Sequence, residues 1–161
     1  MTGSTMTHID EKGRVRMVDV TEKEATERTA VASAVVLLRQ RTLNMILKRE
    51  MSKGNVLETA RIAGIMAAKK TAELIPMCHP LNLSHAQVDF FPETDPARVT
   101  IRARVRLTGR TGVEMEALTA VTVAALTLYD MCKAVDREMR ITDVQLMEKT
   151  GGKSGTFRRS K

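Results

Sequence analysis

Residues Arg98–Lys133 read R-V-T-I-R-A-R-V-R-L-T-G-R-T-G-V-E-M-E-A-L-T-A-V-T-V-A-A-L-T-L-Y-D-M-C-K. The period of the apolar positions changes inside this stretch. From Arg98 to Leu107 it is two: Val99, Ile101, Ala103, Val105 and Leu107 alternate with Arg98, Arg102, Arg104 and Arg106. That is a strand with one core face and one face that is solvated or meets an anion. After a glycine-punctuated turn carrying Arg110, residues 113–137 read as one long apolar helix. Acids stand at its entrance (Glu114, Glu116), and an acid and a base at its exit (Asp130, Lys133). A buried helix needs none of these charges to fold, so the rod is a device for positioning chemistry.

Working outward, Arg140–Glu148 alternates again, with Ile141, Val144 and Leu146 apolar. Leu83–Phe91 alternates before a turn at Pro92–Pro96. Val56–Leu74 is a helix: Leu57, Ala60, Ala63, Gly64 and Ala67 follow helical period, and Asn55 with Glu58 three residues on forms a capping-box signature. Gly64 weakens that helix by about 1 kcal/mol relative to Ala, which a close approach to a sheet would explain. Pro76 ends it, and P-M-C-H-P (Pro76–Pro80) is a stiff loop. Arg41–Arg49 is helical, and Met17–Val20 is a short strand or a docking segment. Glu27–Leu38 fits helix or strand because of its alanines; Thr29, Val31, Val35 and Val36 favour strand. The order strand–helix–strand–strand–helix–strand is the ferredoxin-like βαββαβ pattern: an α+β sandwich with a four-stranded antiparallel sheet and helices on one face. The second face of such a sheet is open, and another subunit is expected to cover part of it.

The chain of 161 residues is expected to form a single domain, with residues 1–16 and 150–161 flexible. It has 43% hydrophobic residues, eleven Met, three Phe, one Tyr and no Trp. Met therefore fills gaps in an aliphatic core. The net charge of +7 favours anionic partners. Scarce aromatics argue against stacking single-stranded nucleic acid, and the arginine-rich strand lacks the aromatics that RNA-binding sheets present. Cys78 and Cys132 are far apart, no signal peptide is evident, and no apolar run reaches the ~20 residues that span a bilayer. The expectation is a reduced, cytoplasmic protein with no membrane partner.

Several residues fit both a functional and a structural reading. Glu114 and Glu116 complement a helix dipole, hold a guanine-like donor edge, or act as acid and base. Asp130 and Lys133 share a helix face as a surface ion pair or as a pair with tunable pKa values. Lys53, in the turn S-K-G-N, is a solvated lysine or an anion contact at a helix start. His79 is a hydrogen-bonded histidine or a substrate contact on a rigid loop. Adjacent Cys78 and His79 lack a second local pair, so no metal site is expected. The tail G-G-K-S (Gly151–Ser154) lacks the glycine that a Walker loop needs at Met147 and is too close to the end to open a helix. It can still wrap a phosphate, with backbone N–H groups and Lys153.

M-V-D-V, K-G-N-V-L-E-T-A-R-I-A-G-I, L-I-P-M-C-H-P-L, L-T-G-R-T-G-V-E-M-E-A-L-T-A, Y-D-M-C-K-A-V and K-T-G-G-K-S-G together resemble the molybdenum cofactor biosynthesis protein C family. The resemblance covers residues 7–157 and implies cyclic pyranopterin monophosphate synthesis. The substrate would be 3′,8-cyclo-7,8-dihydroguanosine triphosphate, and pyrophosphate would leave, as in a lyase. The resemblance also implies the ferredoxin-like fold and a homohexamer, a trimer of dimers, with active sites at interfaces. It makes Asp130 the catalytic acid/base and Lys53 and Lys133 catalytic lysines. Met77, Cys78 and His79 would form one substrate-binding segment, Met115 and Glu116 a second with Glu114 beside them, and Lys149 a pocket lysine. Met77 stands where the family often has leucine, a change that a backbone contact would survive. Lys53, Lys133, Lys149 and Lys153 suit a triphosphate. The chemistry is proton transfer, so no cofactor is required, and Mg2+ would serve only as a triphosphate counter-ion.

Overall fold

The alanine-rich segment of ambiguous period is a strand, and it lies at the centre of the sheet. In the computed structural model, which describes residues 13–160, β1 (Thr26–Leu37) pairs antiparallel with β3 (Ala97–Gly109) on one side and β4 (Arg140–Thr150) on the other. β2 (His85–Thr94) pairs with β3, and β5 (Phe157–Arg158) with β4, giving an antiparallel sheet in the order β2-β3-β1-β4-β5. The sheet thus has five strands and not four. The added strand lies in the tail expected to be flexible, where Lys149 faces Phe157. Of the amino-terminal segment expected to be loose, residues 1–12 lie outside the described residues, as does Lys161.

Alanine stands where a helix must come close. Ala30, Ala32, Ala34 and Val36 share a face with Val99, Ile101, Ala103 and Val105, and all are buried. Against them lies α4 (Glu114–Cys132), through Ala117, Ala120, Val121, Ala124 and Leu128. By length and hydropathy α4 could cross a membrane, but half of that window is buried in this core. α1 (Gln40–Leu47) adds Leu43 and Ile46. Its amino end is tied to the segment after α4 by buried Asp136, which accepts from the Arg39 N–H (2.9 Å) and the Thr42 hydroxyl (3.0 Å). On the opposite face Arg102, Arg104 and Arg106 are exposed. There Arg102 lies over the Phe91 ring (5.4 Å), and Arg98 is ion-paired with Glu93 (2.5 Å).

The expected helix over 56–74 is two helices, α2 (Val56–Lys69) and α3 (Thr71–Leu74), broken at Lys70 (φ −108°, ψ 12°). Asn55 caps α2 by accepting from the Glu58 N–H (3.2 Å), while the Glu58 carboxylate pairs with Arg61. Pro92 lies inside β2, not in a turn, because β2 is the sheet edge and needs no donor there. Val144 is exposed, not core-facing: the β1–β4 register shifts between Ser33 and Val35, and Asp143 (φ 50°) sits opposite that irregularity.

Gly64 marks the tightest crossing. A Cβ there would sit 2.9 Å from the Ala120 carbonyl oxygen and 3.2 Å from both Ala124 Cβ and Val88 Cγ2, so α2 approaches α4 as well as the sheet. Gly64→Val is expected to destabilise the protein by about 1–3 kcal/mol or more, despite removing a glycine from a helix. Chemical denaturation measures this, and an unchanged midpoint would show that the helices can separate freely.

Candidate active site

The first cluster forms where the carboxyl end of β3 hands the chain to α4. The turn at 110–112, the start of β1, the loop after α3, residues 18–24 and the turn at 152–154 enclose a cavity of ≈ 1000 Å³. Met77, Cys78, His79, Glu114, Met115, Glu116 and Lys153 all line it. The Cys78 N–H closes a turn onto the Ile75 carbonyl (3.0 Å). His79 Nε2 donates to the Val18 carbonyl (2.9 Å), so Met17–Val20 is a docking segment, outside any strand.

The cavity has acids and bases on different elements. Glu116, in the first turn of α4, is only 3% exposed. Burial pushes its carboxyl up to about 7, with Glu114 adding to the rise while its own backbone N–H opposes it. The folded protein therefore holds this proton more tightly than the unfolded chain. The associated stability is complete below about pH 4.5 and is lost as pH rises through 7. Burial, then Glu116, raises the Cys78 thiol.

Arg28, Arg110 and Lys153 supply positive charge. Arg28 donates to the Gly109 and Arg110 carbonyls (3.3 and 3.5 Å). Gly151 and Gly152 have positive φ, and a Cβ on Gly152 would fall on the Arg28 guanidinium. This pair of glycines lets the tail fold in and present Lys153. Lys149 does not line the cavity; it hydrogen-bonds Ser154, which does. The buried hydroxyls of Thr26 and Thr111, both in the cavity wall, have no partner among the described residues.

The second cluster lies at the other end of α4. Asp130 Oδ1 pairs with Lys133 Nζ (2.7 Å) and Oδ2 with Lys53 Nζ (2.9 Å). Lys53 also donates to the Asp130 carbonyl (2.9 Å), so its ammonium sits at the negative end of α4 and not at the start of α2. Hydrogen bonds and charge from Lys133 and then Lys53 hold the Asp130 carboxyl down at about 2. Fourteen residues of helix separate Glu116 from Asp130, about 20 Å. One chain therefore gathers the expected residues into two groups and does not join them.

Arg28 and Thr111 line the cavity without having been singled out from the sequence, and Val18 and Val20 were marked only as part of Met17–Val20. Arg28 had a readable signal. It is in phase with Ala30 and Ala32, and a charge on the core face at the start of a strand must emerge at the sheet's end. Among the described residues, no three of His, Cys, Asp and Glu gather as a metal site.

Comparison with known proteins identifies the family. The MoaC family model matches residues 17–152. The chain is 63% identical over 150 residues to the cyclic pyranopterin monophosphate synthase of Desulfatibacillum aliphaticivorans, covering 93% of this chain and 94% of that protein. It is 62% identical over 156 residues to the enzyme of that name from Pelotomaculum thermopropionicum (97% and 92% covered). It is 56% identical over 161 residues to that of Chloroflexus aggregans (99% and 98%). With the family model spanning β1 to β4, α4 and the clusters at both of its ends apart from Lys153 and Ser154, this chain belongs to the MoaC family.

Proposed function

We propose that the protein converts 3′,8-cyclo-7,8-dihydroguanosine triphosphate to cyclic pyranopterin monophosphate and pyrophosphate, a lyase reaction of molybdenum cofactor biosynthesis in the cytoplasm. The names of its relatives support this, and so does the chemistry of the two clusters. Acids that can hold a guanine-type edge share the cavity with cations that can hold phosphates. The Lys53–Asp130–Lys133 group offers a carboxylate and two ammonium groups for proton transfer beside a polyanion.

In the closing step a hydroxyl oxygen attacks the α-phosphorus. The bond to the β-phosphate oxygen breaks, pyrophosphate leaves with the electron pair, and the hydroxyl proton passes to a base. In-line placement and charge neutralisation carry such a displacement. Asp130 is the proposed base. Both its oxygens are occupied in the free protein. A phosphate drawing Lys53 or Lys133 away would free one oxygen and make it more basic. Ring rearrangement moves protons without net oxidation, so the balance calls for no electron carrier. Mg2+ is proposed only as a triphosphate counter-ion.

The observation that carries the proposal is the separation of the clusters along α4. Each holds half of what the reaction needs, so the complete site is proposed to join the cavity of one subunit to the lysine–aspartate group of another, within a hexamer of three dimers. Exposed Ile62, Met66, Leu74 and Leu126 leave apolar surface for such contacts. We also read the β2-β3-β1-β4 order as a ferredoxin-like single domain extended by β5. The test is subunit mixing. Lys53→Ala and His79→Ala homomers are each expected to be inactive. Dissociated and reassociated together, they should recover about a quarter of wild-type pyrophosphate release, because half the dimers are mixed and each has one undamaged site. No recovery from properly mixed oligomers would place the whole site in one chain.

A further inference from the structure

Asp136 is 1% exposed and takes no part in the chemistry proposed above. A carboxylate that deep is costly unless donors surround it, and its donors come from two directions. Oδ2 accepts from the Arg39 N–H (2.9 Å) and the Thr42 hydroxyl (3.0 Å), both at the amino end of α1. Oδ1 accepts from the Glu138 N–H (3.2 Å) in its own segment and lies 3.8 Å from Arg39 Nε. Arg39, at the N-cap of α1, gives no side-chain cap, so Asp136 supplies the negative charge there from a remote part of the chain. Each side of this junction leads to one half of the lysine–aspartate group. On one side Asp136 follows Lys133 by three residues, and the Val135 and Asp136 N–H groups both donate to the Cys132 carbonyl (2.9 and 3.1 Å). The Tyr129 hydroxyl closes the same turn onto the Arg137 carbonyl (3.1 Å). On the other side α1 ends at a left-handed Arg49 (φ 57°), with the Glu50 N–H on the Met45 carbonyl (2.9 Å). Met51 is then buried, and the Gly54 N–H bonds its carbonyl (3.0 Å), closing the turn that presents Lys53.

We infer that Asp136 is a positioning residue: by joining the start of α1 to the turn after α4, it fixes where Lys53 stands relative to Asp130 and Lys133. This rests on the reaction proposed above for the role of the lysines. Lys53 and Asp130 meet through exposed side chains, and such pairs do not hold their own geometry. Their spacing is set by the backbone beneath them, and Asp136 is the buried polar link between the two stretches of backbone. The Cys132 thiol lies within electrostatic reach of both ends of this device: burial raises it, Asp136 adds to the rise and Lys53 opposes it. Without the link, the Lys53 turn can shift with α1 away from the end of α4. A misplacement of about 1 Å costs up to about a hundredfold in a reaction that depends on in-line placement.

Asp136→Asn and Thr42→Val in the assembled full-length protein test this. The first keeps the size of the side chain but turns an amide NH2 toward a buried donor; the second keeps the shape of Thr42 and removes one donor. Measured well below the melting temperature, kcat for pyrophosphate release is expected to fall about tenfold or more in Asp136→Asn and about threefold in Thr42→Val, with KM within about twofold of wild type. In a Lys53→Ala background the same substitutions should leave the residual rate unchanged, because the group they act through is gone, while their effect on melting temperature persists. Hydrogen exchange gives a readout without turnover: the Gly54 amide should exchange about tenfold faster relative to the amides of β1 and β3 in Asp136→Asn. Normal kcat in the folded variants, an equal loss of rate with and without Lys53, or unchanged relative exchange at Gly54 overturns the inference. If Asp136→Asn does not fold, Thr42→Val decides by the same measurements. A wild type that releases no pyrophosphate refutes the reaction alone, and Gly54 exchange then still decides whether Asp136 holds the Lys53 turn.

Discussion

Lys53→Ala is expected to lose about a thousandfold in turnover while its melting temperature stays within about 4 °C of wild type. The small effect on stability follows from exposure. Lys53 and Asp130 are 43% and 56% exposed, and ion pairs in such surroundings add little to folding. The large effect on activity follows from position, because the Lys53 ammonium is held against both the side chain and the carbonyl of Asp130, 77 residues away. Lys133→Ala is expected to behave alike, since it holds the other carboxylate oxygen. Product analysis with pyrophosphate quantification measures both. Normal turnover by both variants would remove the lysines from the chemistry.

Asp130→Asn is the second large effect. We expect turnover to fall by about 10²–10⁴-fold while nucleotide affinity changes by less than tenfold, because the amide keeps the shape but cannot take a proton. With its carboxyl held at about 2, Asp130 stays ionised across the neutral range. The sign for stability is opposite to that of Glu116. The contribution of Asp130 is present above its unfolded value near 3.8 and is lost as pH falls through about 2. An acid limb near neutrality in kcat/KM, which reports the free enzyme, therefore belongs to another group. Single-turnover measurements decide the assignment. A normal single-turnover rate combined with weak binding would make Asp130 a binding residue only.

The fold was legible wherever one periodicity was clean. Arg98–Leu107 alternates over ten residues, and β3 contains all of it. Asn55 and Glu58 announced the start of α2, and the cap is made. Signals failed where the deciding contact is remote. Nothing at Lys70 announces a break between α2 and α3. Phe157–Arg158 is too short to show a period and is a strand only because β4 offers an edge. Val144 has the right residue type for the core, and an irregularity in the pairing with β1 turns it out. The candidate site divides in the same way. The motifs identify its residue types, while Arg28 escaped notice because its role depends on where its strand ends.

The sequence by itself determined the elements with a clean period and the charged ends of α4, because hydrophobic period and capping act over a few residues. Tertiary packing decided which charges meet. It carried Lys53 to the carboxyl end of α4, set the loop bearing His79 beside Glu116 at the amino end, and left about 20 Å of helix between the two groups. Those meetings depend on the register of β1 with its neighbours and on the crossing of α2 over α4 at Gly64, and no local pattern of residues encodes either.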